Sequence, residues 1–514
     1  MSSFEQKNEL YSKLNAICDV LRKTMDASEY RNYILGFIFY KYISEKFINL
    51  ANELLEGDNV KYLDVKNQEI KEATDKSLKE TLGYFIKKED LFSTWVEKLN
   101  NGENILSNIE DGLKNVEQST MGLDSENDFK NLFGDINFAS SKLGNSPTAK
   151  NNTIKHIILN LNEIKYGFDD AKIDILGDAY EHLIANFASE AGKKAGEFYT
   201  PQEVSQILAK IVTSNMADRK ILKNAYDPTC GSGSLLLQIS KLIKVGKLCG
   251  QEVKDTTFNL CRMNMFLRGK DYHDFDIRLE DTILHPQHLD QKFDVIVANP
   301  PFSLPWDAPE SFLSDPRFSD YGKLAPKSKM DYAFIQHMIY HLADDGTMAT
   351  IMPHGVLFRG AAEGTIRQYI IEKQNYLDAV IGLPANIFYG TSIPSCILVF
   401  KKNRKKDDPI LFIEASREFE KGKNQNKLSQ ENINKIVDAY ANKKEIEKYS
   451  RLVNLDEIKE NEYNLNITRY VDTFEEEEEI DIEAVNRELK ELNLKIAETE
   501  KEIEEMIKEL VESK

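Results

Sequence analysis

Between about residues 165 and 415, short apolar runs alternate with amphipathic stretches. The runs at 221–226, 247–252, 276–280, 293–298, 347–352, 377–383 and 395–401 have the length and β-branched content of buried strands. The stretches at 202–216, 234–244, 256–268, 331–343 and 362–373 carry helical periodicity. This alternation predicts an α/β domain with a mostly parallel sheet covered on both faces. Residues 1–150 read differently. Their first proline is Pro147, and they are rich in Leu, Ile, Lys and Glu, so a helical domain is expected. Its strongest helix, Tyr30 to Phe47, carries aromatics at Tyr30, Tyr33, Phe37, Phe39, Tyr40 and Tyr42 and reads as bundle core, or else as a clamping surface. Residues 144–152 read as a boundary loop. Beyond Pro409 no proline recurs. Residues 416–474 read as an extension of short helices. In 475–514, Val485, Leu489, Leu492, Ile496, Thr499, Ile503, Met506 and Leu510 follow a 4-3-4-3 spacing. That is a coiled-coil seam, and such a helix needs a partner.

Chemistry concentrates where strands end. The run Phe293–Ala298 is followed by Asn299-Pro300-Pro301-Phe302. Two prolines stop a strand and hold the backbone extended at its carboxyl end, where open α/β sheets bind ligands. An amide, a free carbonyl and a ring in that place suit a planar ligand with an exocyclic amino group, adenine being the obvious candidate. The plain alternative is a strand-terminating turn. Upstream, Asp227-Pro228-Thr229-Cys230-Gly231-Ser232-Gly233-Ser234 joins a strand to a helix. Its glycines permit a tight turn and close backbone approach, although GxG without a third glycine is a weak dinucleotide signal. Glu252 closes the next strand, about twenty residues on, where a carboxylate can accept from ribose hydroxyls. Asp281 closes a third strand; it is placed either to accept from a cofactor's adenine amino group or to cap the Thr282–Leu284 turn. The Pro-, Ser- and Asp-rich segment Ser303–Lys329 reads as a mobile loop over the pocket.

These motifs resemble those of S-adenosyl-L-methionine-dependent methyltransferases acting on adenine N6. With Gly196-Glu197-Phe198-Tyr199-Thr200-Pro201, Asp174 to Ile184, Met25 to Leu35 and Gly390-Thr391-Ser392-Ile393-Pro394 in this order, nearly the whole chain is similar to the modification (methylation) subunit of type I restriction–modification systems. The resemblance implies a Rossmann-like methyltransferase sheet in which the strand at 395–401 inserts antiparallel. It implies catalysis by Asn299, Pro300, Pro301 and Phe302 on an adenine flipped out of duplex DNA. Cofactor contacts are expected from Asp227, Gly231, Ser232, Gly233, Ser234, Glu252 and Asp281. The segment Glu197, Phe198, Tyr199, Thr200, Pro201 and Gln202 is expected to close over the cofactor, with Phe198 and Tyr199 alternatively plain core. Implied partners are a DNA-recognising specificity subunit, a restriction subunit that is an ATP-dependent translocase and nuclease, and a second copy of this subunit.

Composition narrows the rest. The net charge is −19, unexpected for a protein that binds DNA unaided. From Phe474 onward, 16 acidic residues face 6 basic ones, so the tail carries more than half of the imbalance. The remainder is still not basic, which favours a partner that supplies most of the DNA affinity. The five cysteines, at 18, 230, 249, 261 and 396, form no CxxC pair and predict neither a disulfide framework nor a zinc site. No apolar run reaches eighteen residues and no signal core opens the chain, so a cytoplasmic protein without membrane segments is expected. His337 and His341 share a helix face without the Glu of a zinc-protease motif and read as structural. No GxxxxGK[ST] and no Pro-Asp dipeptide occur, so neither a P-loop motor nor a fused nuclease is expected. Two other readings stand beside DNA methylation: an amino-methyltransferase acting on protein glutamine or RNA, and a non-catalytic assembly subunit.

Overall fold

The structure is a computed structural model that describes residues 3–22, 25–165, 170–191, 199–214, 216, 221–388, 391–422, 425–473 and 482–512. The chain divides into two compact units, Met1–Val471 and Asp472–Lys514.

The first unit opens with helices α1 (Ser3–Leu21), α2 (Ala27–Leu54), α3 (Gln68–Leu82), α4 (Phe92–Asn100), α5 (Leu106–Ser119), α6 (Glu126–Phe129) and α7 (Pro147–Asn162), followed by α8 (Asp170–Ala191). Local signals set their ends. Asn67 caps α3 through its side chain and Gly83 ends it in a left-handed conformation, while Ser146 caps α7 with Pro147 in its first turn. The aromatics of α2 are core, as the bland reading expects: Tyr30, Tyr33, Phe37, Phe39, Tyr40 and Tyr42 are all buried. Tyr40 stacks on Trp95 at 4.4 Å between ring centroids, a pairing worth about 1 kcal/mol beyond the buried area.

The α/β region alternates as its sequence predicts. In order come α9 (Gln202–Thr213), β1 (Ile221–Asp227), α10 (Ser234–Leu242), β2 (Lys244–Glu252), α11 (Asp255–Leu267), β3 (Phe275–Leu279), β4 (Phe293–Ala298), α12 (Asp331–His341), β5 (Leu342–Pro353), α13 (Ala361–Gln368), β6 (Leu377–Gly382), β7 (Ser395–Lys401) and β8 (Ile410–Glu414). A small ribbon pairs β9 (Glu420–Lys421) with β10 (Asn426–Lys427); α14 (Gln430–Ala441), β11 (Ser450–Val453) and α15 (Leu455–Glu460) complete the unit.

The main sheet runs β11-β8-β6-β7-β5-β4-β1-β2-β3. Strands β3, β2, β1, β4 and β5 are mutually parallel, and β7 lies antiparallel between β5 and β6. Strand β8, parallel to β6, lies at the end of the predicted α/β segment but is not among its predicted strands, and β11, antiparallel to β8, extends the sheet into the region read from sequence as short helices. The order reverses direction between β1 and β4, which opens a crevice at their carboxyl ends. Period-two alternation divides the core. Ala225, Val295, Ala349 and Ile397 face the layer that continues into the N-terminal helices; Tyr226, Ile296, Met348 and Leu398 face the layer under α12 and α13.

The segment Ser303–Lys329, expected to be a mobile loop, is folded on itself. Trp306 Nε1 donates to the Pro326 carbonyl at 3.1 Å, and Phe318 and Tyr321 are buried. Arg317 is buried too, donating to the carbonyls of Ile283 (2.9 Å) and Thr282 (3.3 Å) while paired with Asp315. Composition misleads here because a few aromatics and one arginine anchor an otherwise polar segment.

The tail unit holds one long helix, α16 (Ile482–Glu512). Along it Leu489, Leu492, Ile496, Ile503 and Met506 are exposed. The side chains of Val485 and Leu510 and the acidic run 475–479 lie outside the described residues. Among the described residues no helix is long and apolar enough to cross a membrane, and all five cysteines are buried.

Candidate active site

Strand ends β1, β2, β3 and β4 deliver one cleft of about 740 Å³, open to solvent. Pro228 and Thr229 come from the turn after β1, Glu252 to Lys254 from the end of β2, Glu280 to Thr282 from beyond β3, and Asn299 and Pro301 from beyond β4. Leu304, Met330 and Phe334 add an apolar wall. Of the residues singled out in the sequence, the cleft brings together Glu252, Asp281, Asn299 and Pro301.

Glu252 Oε1 accepts from the amides of Val253 and Lys254, both at 2.9 Å, and Oε2 accepts from Gly231 N at 3.2 Å. One carboxylate thereby fixes the end of β2 and the glycine turn after β1. Burial raises its pKa against these three bonds. Asp281 makes the capping bonds of one of the two roles left open for it, and its position leaves the other available. It lines the cleft, and its Oδ1 accepts from the amides of Ile283 (2.9 Å) and Leu284 (2.8 Å).

Asp227 is buried under the turn. Its Oδ1 accepts from Thr229 N at 2.9 Å, while Oδ2 is buried without a hydrogen-bond partner. Burial is the main cause that pushes its pKa up to about 8, with the Glu252 charge adding to it. A buried carboxylate oxygen without a donor is costly unless a ligand supplies one. Gly231, Ser232, Gly233 and Ser234 are buried and do not line the cleft. Both glycines have positive φ, 54° and 78°. A β-carbon on Gly233 would lie 2.8 Å from Met265 Cε and 2.9 Å from Cys261 Sγ, so this glycine is needed for packing against α11.

Asn299 Nδ2 donates to Thr200 Oγ1 at 3.1 Å. The bond leaves the amide oxygen as the acceptor the side chain can offer to a ligand. Pro300 is buried, and Phe302 is half-buried with its ring edge-on to Phe388 at 6.2 Å. Phe388 had no local signal in the sequence. Tyr199 and Thr200 are buried, and Tyr199, Pro201 and Gln202 line a second, polar cleft with Tyr11 and His182. Gln202 Nε2 donates to Glu181 at 2.9 Å. Glu197 and Phe198 lie outside the described residues.

Sequence reading also missed Gln251. Fully buried, it donates to the carbonyls of Glu280 and His285 and accepts from Gln287 N, so it sets the spacing of β2 against the Asp281 turn. His337 and His341 are structural as expected. His337 Nε2 meets the Tyr226 hydroxyl at 3.1 Å, and burial pushes His341 down to about 4. Among the described residues no cluster of His, Cys, Asp and Glu can hold a metal.

Known proteins share this architecture. Residues 171–479 match the family model of the N-6 DNA methylases, and residues 10–161 that of the HsdM N-terminal domain. The methylase subunit of the type I restriction enzyme MpnII of Mycoplasma pneumoniae is 38% identical over 99% of this chain and 96% of its own length. That of MjaVII from Methanocaldococcus jannaschii is 30% identical over 95% of this chain and 82% of its own. A crystal structure of the type I restriction-modification methyltransferase subunit from Streptococcus thermophilus superposes with a TM-score of 0.84 at 41% identity, over 91% of this chain and all of that one. The chain therefore belongs to the methylase subunits of type I restriction enzymes and is an adenine-N6 DNA methyltransferase.

Proposed function

We propose that Asn299-Pro300-Pro301-Phe302 receives an adenine turned out of duplex DNA, and that the adjoining cleft holds S-adenosyl-L-methionine. The observation that carries this reading is the placement of Asn299: it lines the same cleft as Glu252 and Asp281, with its amide nitrogen engaged by Thr200.

The residues present fit the cofactor. Asp227 Oδ2, buried and unsatisfied, suits an ammonium group. Glu252 suits ribose hydroxyls, Asp281 an exocyclic amine, and Leu304, Met330 and Phe334 a flat apolar ring. When bound, S-adenosyl-L-methionine supplies a methyl group already activated on a sulfonium. The residues of this chain must then align and polarise the acceptor. Its N6 lone pair is delocalised into the ring. Two acceptors, Asn299 Oδ1 and the Pro300 carbonyl, take the two amino hydrogens, favour a pyramidal nitrogen and stabilise the positive charge that develops there. Phe302 stacks on the base and Phe388 bounds it at the edge. An amide is no strong base, so the proton leaves after transfer rather than before it.

Duplex recognition is assigned to a separate specificity subunit, because neither unit of this acidic chain carries the basic balance that phosphate binding needs. The apolar seam of α16 is the surface proposed to meet it. The full complex would add a restriction subunit and a second copy of this chain. Within it, the methyl mark protects host DNA from cleavage.

The test is methyl transfer from labelled S-adenosyl-L-methionine to duplex DNA by this chain with its specificity partner, followed by nucleoside analysis. Adenine methylated at N6 is expected. Asn299→Ala should lower the rate by a factor on the order of 10² to 10³ and leave cofactor affinity within a few-fold. A near-wild-type rate for this variant would remove Asn299 from catalysis. Label in protein or RNA instead of DNA would overturn the substrate assignment.

A further inference from the structure

Ser303, the residue after Phe302, has φ of +52°, a left-handed backbone that disfavours any residue with a β-carbon. Its amide donates to Asp331 Oδ1 at 2.7 Å. The other oxygen of the same carboxylate accepts from Arg359 Nη2 at 2.7 Å, and Arg359 is paired with Glu363 at 2.8 Å. Asp331 and Glu363 are almost completely buried. The arginine's own backbone is held in turn: Arg367 Nη1 donates to the Arg359 carbonyl at 2.9 Å, and Arg367 Nε donates to the Tyr463 carbonyl at 2.7 Å. Asp331 also opens α12 directly after Met330, whose amide donates to the Leu304 carbonyl at 2.9 Å and whose side chain lines the cleft. The chain leaving Phe302 is thus gripped at two successive residues, 303 and 304, from the start of α12.

We propose that Asp331 is a positioning residue for methyl transfer. Its carboxylate holds the Ser303 amide, and this fixes the exit of the loop that carries Asn299 and Phe302. The proposal rests on the reading that residues 299–302 receive the base. A carboxylate is suited to the task because two donors, one backbone and one guanidinium, meet it from different elements. Asparagine alone would turn an N–H toward Arg359 and lose one of the two. Asp331 touches neither substrate nor cofactor in this role. Its effect should therefore fall on turnover and spare cofactor binding.

The experiment uses the full chain with its DNA-recognising partner and compares Asp331→Ala, Asp331→Ala with Ser303→Gly, and the neutral pair Asp331→Asn with Arg359→Gln. Turnover, KM for DNA, calorimetric cofactor affinity and the melting temperature are read for each. Asp331→Ala should lower kcat on the order of 10²-fold, the scale of a small misplacement of reacting groups, with cofactor affinity within about threefold, the scale of an uninvolved site. Glycine at 303 accepts positive φ without strain, so the double variant should recover part of the lost kcat. The neutral pair keeps an oxygen on the Ser303 amide and should recover more, which covers the case in which Asp331→Ala does not fold. Wild-type kcat in Asp331→Ala, or no recovery in a folded double variant and neutral pair, would overturn the proposal. Asn299→Ala measured alongside separates the two layers. If it is active, the reading of 299–302 has failed; if it is inactive while Asp331→Ala turns over normally, only the role of Asp331 has.

Discussion

Asn299 and Thr200 lie 99 residues apart and share one hydrogen bond, Nδ2 to Oγ1 at 3.1 Å. The bond gives the Tyr199–Gln202 segment a contact with Asn299 that the sequence did not show. Sequence resemblance assigns the segment to the cofactor; in the structure Thr200 accepts from the Asn299 amide, the group proposed to act on the base, and Tyr199, Pro201 and Gln202 line a second cleft. Thr200→Val keeps the shape and removes the acceptor. We expect turnover to fall by about tenfold, the scale of one lost hydrogen bond of about 1 kcal/mol, with cofactor affinity little changed. Thr200→Ser should restore the rate. Loss of cofactor binding in the valine variant, measured by calorimetry, would return Thr200 to the cofactor.

Glu252 is held by three backbone amides while lining the cleft. Glu252→Ala should weaken S-adenosyl-L-methionine binding by roughly 2 kcal/mol, about thirtyfold in Kd. Glu252→Gln keeps one oxygen for the amides and should lose less. Calorimetry on both variants is the check. Unchanged affinity in the alanine variant would move the ribose contact to Asp281.

The parts of this molecule that were legible in sequence are those with a local signature. The strand–turn–helix at Asp227–Ser234, the stop at Pro300-Pro301 and the carboxylate ending β2 each sit within a few residues of the feature that marks them. The site contacts that escaped are long-range. Thr200 and Asn299, Ser303 and Asp331, and Phe302 and Phe388 meet only because the sheet brings strand ends and later loops to one edge. Strands β8 and β11 escaped for another reason. Ile410-Leu411-Phe412-Ile413 is a four-residue apolar run beside a charged stretch, and Ser450–Val453 is a short edge strand, so neither shows clear alternation. The cleft at β1 and β4 was nonetheless foreseeable, because both motifs end adjacent parallel strands at the point where strand order reverses.

If Asp227 holds the cofactor's ammonium as proposed, cofactor binding should depend on pH. In the free protein its pKa is pushed up to about 8, against about 4 for an exposed aspartate. A cation held against its buried Oδ2 favours the carboxylate, so binding near pH 7 should release a proton and affinity should rise with pH toward about 8. Calorimetry in buffers of different ionisation enthalpy reads that proton directly, and Asp227→Asn should abolish it. Stability has the opposite sign. A carboxyl whose pKa is raised by folding contributes stability that is fully present below about pH 4 and lost as pH rises through about 8. Asp227→Asn should therefore melt higher than the unmodified free protein at pH 8, with the difference closing toward pH 4. A proton balance of zero at pH 7 would place the ammonium elsewhere.

The tail forms a unit of its own, Asp472–Lys514, with Leu489, Leu492, Ile496, Ile503 and Met506 exposed along α16. Most helical stability in proteins comes from packing of an apolar face, and a seam of apolar residues at heptad spacing stabilises a helix only when another helix covers it. Sixteen acidic residues from Phe474 onward argue against DNA as that cover. Removing residues 475–514 should therefore leave the melting temperature of the first unit and its cofactor affinity close to those of the full chain, while abolishing assembly with the specificity subunit. Size-exclusion chromatography with light scattering, with and without the partner, reads this directly. A truncated chain that still assembles would take α16 out of the interface. A dimer of the full chain alone that disappears on truncation would show the seam closing on a second copy of this subunit. Single changes sharpen the test. Leu492→Glu and Ile496→Glu place charge in the seam without shortening the helix, so they should weaken the same contact by at least tenfold, since a charge buried without a partner costs several kcal/mol.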